Sequence, residues 1–321
     1  MVGPHDGRFA PSPTGALHIG NLRTALVAWL RARSLGGRFA LRVDDLDPDR
    51  VRADHERAQI ADLAALGIDW DGPIIHQRDR TARYDDAIAE LVARELAYPC
   101  FCSRADIRAA ASAPHGESAD GAYPGTCAHL TPTTARARID AGDAASIRVR
   151  VGSALRGFDD LVLGRVETVV DDFVIRRKDG VAAYNLASTL DEADLHVGEV
   201  VRGADLATST PRQLWLADVL DVARPTFAHI PLMVAPDGER LAKRHGSVTL
   251  ADLAAHGVNA HEALRLLLES LGEAVPDPAA PLARIVRDFD LTRLPTEDVM
   301  VNPAHWIAGT RPHTGTHRPH P

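Results

Sequence analysis

The sequence has little of what marks secreted or membrane-spanning chains. It contains only three cysteines among 321 residues, which excludes a disulfide scaffold. Its apolar stretches, such as Ala25–Leu30, are far shorter than the roughly 18 residues that a spanning helix needs. No basic and then apolar segment precedes Arg8. We therefore expect a soluble, cytoplasmic protein with reduced thiols and no membrane partner.

Lysine is almost absent, because Lys178 and Lys243 are the only two among 36 basic residues. With 44 acidic residues the formal net charge is -8, which excludes a chain that coats nucleic acid over its whole surface. The net charge does not exclude a local binding face. The composition, 45% hydrophobic with 24 Gly and 21 Pro, is typical of a globular protein of one large or several smaller domains.

The first fifty residues predict a βαβ unit. A short strand over 7–11 enters a turn at Ser12–Gly15, a helix follows over Leu17–Arg33, and a second strand covers Arg38–Val43. Such a unit favours a parallel sheet with a right-handed crossover. Later helices are predicted over Arg52–Leu66 and Tyr84–Leu96, and later strands over Ala193–Val201 and Thr226–Val234. The alternation indicates an α/β nucleotide-binding fold.

Residues 97–180 differ in character and predict an inserted domain. All three cysteines lie there, and Ser146–Val151 and Glu167–Arg176 alternate like antiparallel strands. After Ser247 the pattern becomes helical again, most clearly over His261–Leu271. The tail from 303, rich in His, Pro and Thr, predicts disorder, with a metal site on its histidines as an alternative. The predicted units are 1–96 and 181–247 as two halves of a catalytic domain, 97–180 as the insertion, 248–302 as a helical region, and 303–321 as the tail.

Two segments predict phosphate chemistry. The segment 10–21, here called the His18 turn, places His18 and backbone N–H groups at the start of a helix, where Gly15 and Gly20 would allow a nucleotide to approach. The alternative is a well-capped helix with a buried histidine. The second segment carries Lys243 after Asp237-Gly238, and a cationic loop suits the clamping of a polyphosphate. Its alternative is an exposed basic loop.

The three cysteines predict a metal site. Cys100, Cys102 and Cys127 lie within 28 residues, and three thiolates suit the tetrahedral preference of Zn²⁺. By chemistry alone, His129 or His115 would supply the fourth ligand. Three reduced, buried cysteines without metal are the alternative.

Several long strings agree with one family. The His18 turn resembles the HIGH signature of class I aminoacyl-tRNA synthetases, and the Lys243 loop resembles their KMSKS signature. Residues 9–15, 42–47 and 201–213 are similar to the catalytic core of glutamyl-tRNA synthetases, and the resemblance covers about residues 7–250. It implies a Rossmann-like, parallel-sheet catalytic domain with an inserted α+β domain that holds zinc, and a small C-terminal helical region.

Only residues 248–321 follow the KMSKS-like loop, and a glutamyl-tRNA synthetase continues there with a much longer anticodon-binding region. The chain therefore resembles the short glutamyl-Q tRNA(Asp) synthetase family. The resemblance implies activation of L-glutamate by ATP with Mg²⁺, without tRNA, and transfer to the queuosine base of the tRNA(Asp) anticodon loop. We expect a monomer. A truncated glutamyl-tRNA synthetase that charges a 3′ end, or an RNA-binding relative without activity, are the competing hypotheses.

A glutamate pocket needs cations for two carboxylates and an acid for the ammonium group. Arg8 and Arg202 can each grip a carboxylate bidentately, and Asp44 can take the ammonium. The resemblance places the pocket at eight positions: Arg8, Phe9, Ala10, Pro11, Ser12, Asp44, Tyr184 and Arg202.

The remaining roles follow from the resemblance. It assigns ATP contacts to His18, Gly20, Asn21 and Lys243, with His18 and Lys243 as the catalytic pair that stabilises developing phosphate charge. Among candidates for the fourth zinc ligand it favours Tyr123 over His129. Arg240 and Ala242 stand where the KMSKS signature has Lys and Ser, and Asp44 stands where many relatives have Glu.

Overall fold

The computed structural model describes residues 3, 5–111, 123–235, 237–238, 248–302 and 306–307. Three predictions lie outside the described residues: the lysine loop with Arg240, Ala242 and Lys243, the candidate ligand His115, and the tail apart from residues 306–307. The predicted disorder is wrong at Trp306, which is fully buried in the main core. No helix in the described part is long and apolar enough to cross a membrane.

The strands follow one another along the chain. They are β1 (Gly7–Phe9), β2 (Phe39–Val43), β3 (Ile75–His76), β4 (Ala97–Cys100), β5 (Ser146–Val149), β6 (Ala154–Asp160), β7 (Gly164–Val170), β8 (Val174–Arg176), β9 (Glu199–Gly203), β10 (Thr226–Ile230), β11 (Met233–Val234) and β12 (Val299–Met300).

The helices surround these strands. They are α1 (Ile19–Ser34), α2 (Ala53–Ala65), α3 (Thr81–Ala93), α4 (Arg104–Ala111), α5 (Pro132–Asp140), α6 (Tyr184–Asp194), α7 (Thr210–Val219), α8 (Leu250–Ala255), α9 (Ala260–Glu269) and α10 (Leu282–Asp288).

A parallel layer forms the centre, as the βαβ pattern predicts. β1 pairs with β2 and β2 with β3, all parallel, while β9 and β10 form a second parallel pair. The two groups meet where the amides of Gly198 and Glu199 both donate to the Asp6 carbonyl, at 2.8 and 3.1 Å. The carboxyl ends of β1, β2 and β9 therefore open toward one side, which is where α/β folds place their ligands.

Helix α1 holds the first loop in place. Leu22, Leu26 and Leu30 repeat every four residues and are fully buried, and apolar residues of α9 and α10 belong to the same core. The buried guanidinium of Arg23 donates to the Pro231 carbonyl at 2.8 Å. The start of α1 is thus fixed against both the sheet and the C-terminal helices.

Residues 97–176 form antiparallel layers, as their alternation predicts. β5 lies between β4 and β8, and β6 pairs with β7 in a hairpin. The predicted boundaries of this inserted domain, and of the other units, stay predictions.

Three strand predictions need correction. The expected strand over Glu167–Arg176 is two strands, since β7 ends at Val170 and pairs with β6, whereas β8 begins at Val174 and pairs with β5. The expected strand over Ala193–Val201 is wrong in its first half, because α6 extends to Asp194 and His196 then adopts a left-handed backbone with φ of 58° before β9 begins. The expected strand over Thr226–Val234 is two strands, β10 and β11, with Pro231 between them. Proline lacks the N–H that a continuous ladder needs.

Candidate active site

A cavity of about 850 Å³ lies at the carboxyl ends of β1, β2 and β9. All the predicted glutamate-binding residues line it, as do three of the four predicted ATP contacts. They are Arg8, Phe9, Ala10, Pro11, Ser12, Asp44, Tyr184, Arg202, His18, Gly20 and Asn21. The fourth, Lys243, lies outside the described residues. The structure thus brings the described candidates together, while their individual roles stay predictions.

Charged side chains line one wall of this cavity or interact with the charges that do, and we call them the ionic cluster. Its members are Arg8, Arg42, Arg202, Asp44, Asp191 and Glu192. Three guanidinium groups thus face three carboxylates away from water, an arrangement that stabilises only if each charge is well paired.

Arg8 does not offer the free fork that the sequence predicts. Its Nε and Nη2 both donate to Glu192 Oε1, at 3.2 and 2.7 Å, and its Nη1 donates to the Val201 carbonyl at 3.1 Å. Burial raises the pKa of Glu192, but the charges of Arg8, Arg42 and Arg202 outweigh it and hold that pKa below its usual value. A ligand carboxylate can therefore meet only the terminal hydrogens that Glu192 and Val201 leave unused.

Arg42 and Asp44 form the second pair. Arg42 Nε and Nη2 donate to the two carboxylate oxygens of Asp44, at 2.6 and 3.1 Å. Burial raises the pKa of Asp44 despite this neighbour. The Nη1 group of Arg42 is buried without a hydrogen-bond partner among the described residues, and it belongs to a side chain that lines the cavity.

Arg202 is held from three directions. Its Nε donates to His229 Nε2 at 3.0 Å, its Nη1 to the Tyr184 hydroxyl at 3.1 Å, and its Nη2 to the Thr210 hydroxyl at 2.7 Å. Burial lowers the pKa of Arg202, although the group remains a cation at neutral pH. Its bidentate grip on a ligand is also limited, because most of its donors are used inside the protein.

The sequence left two interpretations of the His18 turn open, a phosphate site and a helix cap, and the structure is compatible with both. His18 caps α1: its Nδ1 accepts from the Asn21 amide, and Asn21 Oδ1 accepts from the His18 amide, both at 3.3 Å. With Nδ1 as an acceptor, a neutral imidazole carries its proton on Nε2, the atom that can donate to a phosphate oxygen. The capping histidine also lines the cavity, so both functions are compatible.

Gly20 makes room for this imidazole. A Cβ at Gly20 would lie 3.1 Å from His18 Cε1 and Nδ1, whereas one at Gly15 would meet nothing described within 4 Å. The sequence predicts that both glycines leave room for a nucleotide. That room is present at Gly15, whereas the space beside Gly20 is occupied by the His18 imidazole.

The described ends of the lysine loop lie beside this turn. Before it, β11 pairs with β12, and Met233 lines the cavity. After it, Val248 accepts a hydrogen bond from the Ile19 amide at 2.9 Å, and Thr249 bridges to His18.

The three cysteines converge, as predicted. Their Sγ atoms lie within 4.8 Å of one another, and those of Cys102 and Cys127 are 3.6 Å apart. The Tyr123 hydroxyl lies 3.4 Å from Cys100 Sγ and accepts from the Cys127 amide at 2.8 Å. His129 is not part of this cluster of described residues.

The surroundings of Cys100 and Cys102 shift the pKa values of the two thiols in opposite directions. Burial raises the pKa of Cys100, but its hydrogen bonds with Tyr123 and Arg148 outweigh burial and bring the pKa below its usual value. Burial and the neighbouring Cys127 raise the pKa of Cys102 to about 11. The Arg148 guanidinium also lies over the Tyr123 ring, 3.9 Å from the ring centroid.

Sequence reasoning missed Arg42, Asp191, Glu192, Asp160 and His229. A signal existed for two of them, because Asp191 and Glu192 share a helix with the buried Leu186, Ala187 and Leu190. A charge on an apolar helix face indicates a buried partner. No local signal marks His229, whose partners come from distant parts of the chain.

Residues 6–275 match the family model described as tRNA synthetases class I (E and Q), catalytic domain. The chain is 49% identical over 291 residues to a glutamyl-Q tRNA(Asp) synthetase of Nocardia farcinica, which covers 91% of each chain. It is 46% identical over 315 residues to that of Symbiobacterium thermophilum, covering 94% of this chain and 97% of that one.

Among solved structures, a glutamate tRNA ligase from Elizabethkingia meningosepticum in complex with its amino acid superposes with a TM-score of 0.81. The match covers 94% of this chain and 68% of that one at 24% identity, which shows the fold. The class I, parallel-sheet fold expected from the sequence is confirmed. The chain belongs to the glutamyl-Q tRNA(Asp) synthetases, within the class I (E and Q) tRNA synthetase family.

Proposed function

We propose that this enzyme activates L-glutamate with ATP and transfers the glutamyl group to the queuosine base of tRNA(Asp). The observation that carries the proposal is the 46–49% identity, over nearly the whole of both chains, to relatives of that name. The cavity supports it, because an amino acid with two carboxylates and one ammonium group suits the cations and acids of the ionic cluster.

The first step joins glutamate to AMP. The α-carboxylate of glutamate attacks the α-phosphorus of ATP, and the bond to pyrophosphate breaks. His18 Nε2 and the Lys243 ammonium stabilise the charge that grows on the phosphates, together with the Mg²⁺ that accompanies ATP. Gly20 and Asn21 hold the start of α1 against the nucleotide.

In the second step a hydroxyl of the modified base attacks the adenylate carbonyl, and AMP leaves. A base displayed in an anticodon loop can be splayed out and read on its edges, which is the usual way that proteins recognise single-stranded RNA. A monomeric enzyme would suffice for this chemistry, and the monomer stays a prediction.

Glutamate-dependent exchange between ATP and pyrophosphate tests the first step. We expect exchange with glutamate in the absence of tRNA, and none with aspartate or glutamine. Transfer of labelled glutamate to tRNA(Asp) that carries queuosine tests the second step, with tRNA(Asp) lacking queuosine as the matched control. Exchange that requires tRNA, or label at a 3′ end, would instead favour a glutamyl-tRNA synthetase activity. Silence under all conditions would favour an RNA-binding relative.

The cysteine cluster fits a structural zinc ion. A tetrahedral zinc with Zn–S bonds of about 2.3 Å places two sulfurs roughly 3.8 Å apart, close to the 3.6 Å between Cys102 and Cys127. Cys100, Cys102, Cys127 and Tyr123 would be the four ligands, and a closed set leaves no position for a catalytic water.

Metal analysis of the purified protein tests this site. We expect one zinc per chain, loss of zinc in Cys102→Ser and weaker retention against a chelator in Tyr123→Phe. His129→Ala should retain zinc like the wild type. Loss of zinc from His129→Ala, together with its retention by Tyr123→Phe, would identify His129 as the fourth ligand.

A further inference from the structure

Behind the cavity wall, His229 of β10 lies beside Arg202 of β9 as its register partner in the parallel pair. The imidazole is completely buried, and neither it nor Asp160 lines the cavity. A contact with a ligand is therefore excluded for both residues as they stand. Whatever they contribute passes through Arg202.

Asp160 fixes the orientation of the imidazole. This aspartate ends β6, and its carboxylate accepts from the amides of Val162, Leu163 and His229 at 2.9 to 3.1 Å. Burial raises the pKa of Asp160, but the hydrogen bonds from His229 and these amides bring it below its usual value. An ionised carboxylate accepts only, so the contact of 2.6 Å to His229 Nδ1 requires a proton on Nδ1.

The opposite ring nitrogen is then an acceptor. His229 Nε2 lies 3.0 Å from Arg202 Nε and 3.2 Å from the Thr210 hydroxyl. Because Thr210 Oγ1 itself accepts from Arg202 Nη2, its hydroxyl proton is available to the imidazole. Arg202 is therefore held along the whole Nε–Nη2 edge by two groups that act as acceptors.

The other tautomer would reverse this interaction. A proton on Nε2 would point at the Arg202 Nε–H. With Nδ1 protonated as well, the imidazolium would also place a second positive charge toward Arg202 and Arg8. Burial lowers the pKa of His229, with the charges of Arg202 and Arg8 acting in the same direction and Asp160 opposing them. Phe158 and Phe227 pack against the ring at centroid distances of 5.8 and 5.9 Å and exclude water from it.

We propose that Asp160 and His229 form a positioning pair that fixes the direction of the Arg202 guanidinium, and thereby sets the affinity of the site for the glutamate carboxylate. The inference rests on the proposed function, since it assumes that Arg202 meets glutamate. It makes the β6–β7 hairpin, which lies outside the parallel sheet, part of substrate selection.

Asp160→Asn is the variant that tests the pair. Asparagine keeps the amide contacts on its oxygen, but its NH₂ group donates to Nδ1 and moves the ring proton to Nε2. We expect KM for glutamate in the exchange reaction to rise about ten- to hundredfold, the value of hydrogen bonds to a charged group, while KM for ATP stays within twofold. His229→Gln, which retains an acceptor oxygen, should lie between the wild type and His229→Leu.

Phe158→Leu is the matched control, because it loosens packing on the imidazole without removing a hydrogen bond. It should lower Tm and leave KM for glutamate unchanged. A purely structural role for the pair would instead give Asp160→Asn a lower Tm with no selective change in KM for glutamate, and would overturn the proposal.

A spectroscopic readout separates this inference from the proposed function. In ¹⁵N spectra of the imidazoles, assigned by the loss of one set of signals in His229→Gln, wild-type His229 should carry its proton on Nδ1 and Asp160→Asn should carry it on Nε2. A wild-type proton on Nε2 would overturn the positioning pair even if exchange is active. The expected tautomer without any glutamate-dependent exchange would leave the pair standing and refute the proposed function.

Discussion

The two ends of the cavity hold charge in different ways. At the ionic cluster, Arg8 and Arg42 are buried and already paired with carboxylates, and Arg202 is held by neutral groups. At the His18 turn, a neutral capping box and backbone N–H groups form the wall, and the predicted cation belongs to the neighbouring lysine loop. The comparison teaches that the proposed amino-acid site consists of side chains fixed by folding, whereas the proposed nucleotide site consists of a helix start and a separate loop.

The largest effect is expected from breaking a buried pair at the ionic cluster. Arg8→Met should lower the free energy of unfolding by about 3–5 kcal/mol, because Glu192 would remain buried without its main partner. Urea unfolding measures the change. Arg50→Met, at an exposed position on the cavity rim, should stay within about 0.5 kcal/mol of the wild type. Equal stability of the two variants would show that the cluster is not a stabilising element.

The nucleotide end should respond in rate rather than in stability. Lys243→Ala should reduce kcat of glutamate-dependent exchange by about 10²- to 10³-fold, the usual loss when one group that stabilises transition-state charge is removed. Its unfolding midpoint should not change. Lys178→Ala removes the other lysine, which donates to the Phe101 carbonyl, and should keep full exchange. Comparable losses in both variants would contradict the assignment of Lys243.

A pH series sharpens the comparison further. Since burial raises the pKa of Asp44, this carboxylate loses its charge at a higher pH than an exposed aspartate when the solution is acidified. KM for glutamate should therefore rise about tenfold as pH falls through that raised pKa, because the ammonium group loses its anionic partner. KM for ATP should follow the ordinary titration of the triphosphate. In Asp44→Asn the glutamate dependence should be flat; a rise that persists there would assign the effect to another group.

The smallest effect is expected at Gly20. In Gly20→Ala the new Cβ would lie 3.1 Å from the His18 ring and push it a few tenths of an ångström off its cap. Such off-rotamer strain corresponds to a reduction of about two- to tenfold in exchange rate. KM for glutamate should not change. Wild-type kinetics in this variant would show that a shift of the His18 imidazole does not change the exchange rate.

Sequence reasoning located the cavity because its walls come from contiguous strings. The residues from Arg8 to Asn21 follow one strand into one helix, and the local rules for turns, caps and parallel strands place them at a common edge. The convergence of the cysteines was predicted in another way, from their number and from the ligand set that zinc prefers.

What the sequence did not predict comes from pairing between distant segments. Glu192 reaches Arg8 across 184 positions, and Asp160 reaches His229 across 69. Neither pair has a spacing rule, since only the packing of α6 and the β6–β7 hairpin onto the sheet creates them. The error at 193–194 has a local cause: α6 ends through a left-handed histidine where a glycine would have signalled the stop.

The bond from the Ile19 amide to the Val248 carbonyl has a consequence for Lys243, the predicted catalytic lysine. Lys243 is five positions before Val248, so an extended chain of at most about 3.6 Å per residue keeps the two Cα atoms within roughly 18 Å of each other. The length of the chain thus limits how far Lys243 can lie from the start of α1, the predicted phosphate site. Under the proposed function, its encounter with bound ATP would be intramolecular, at an effective concentration on the order of millimolar, rather than a search through solution.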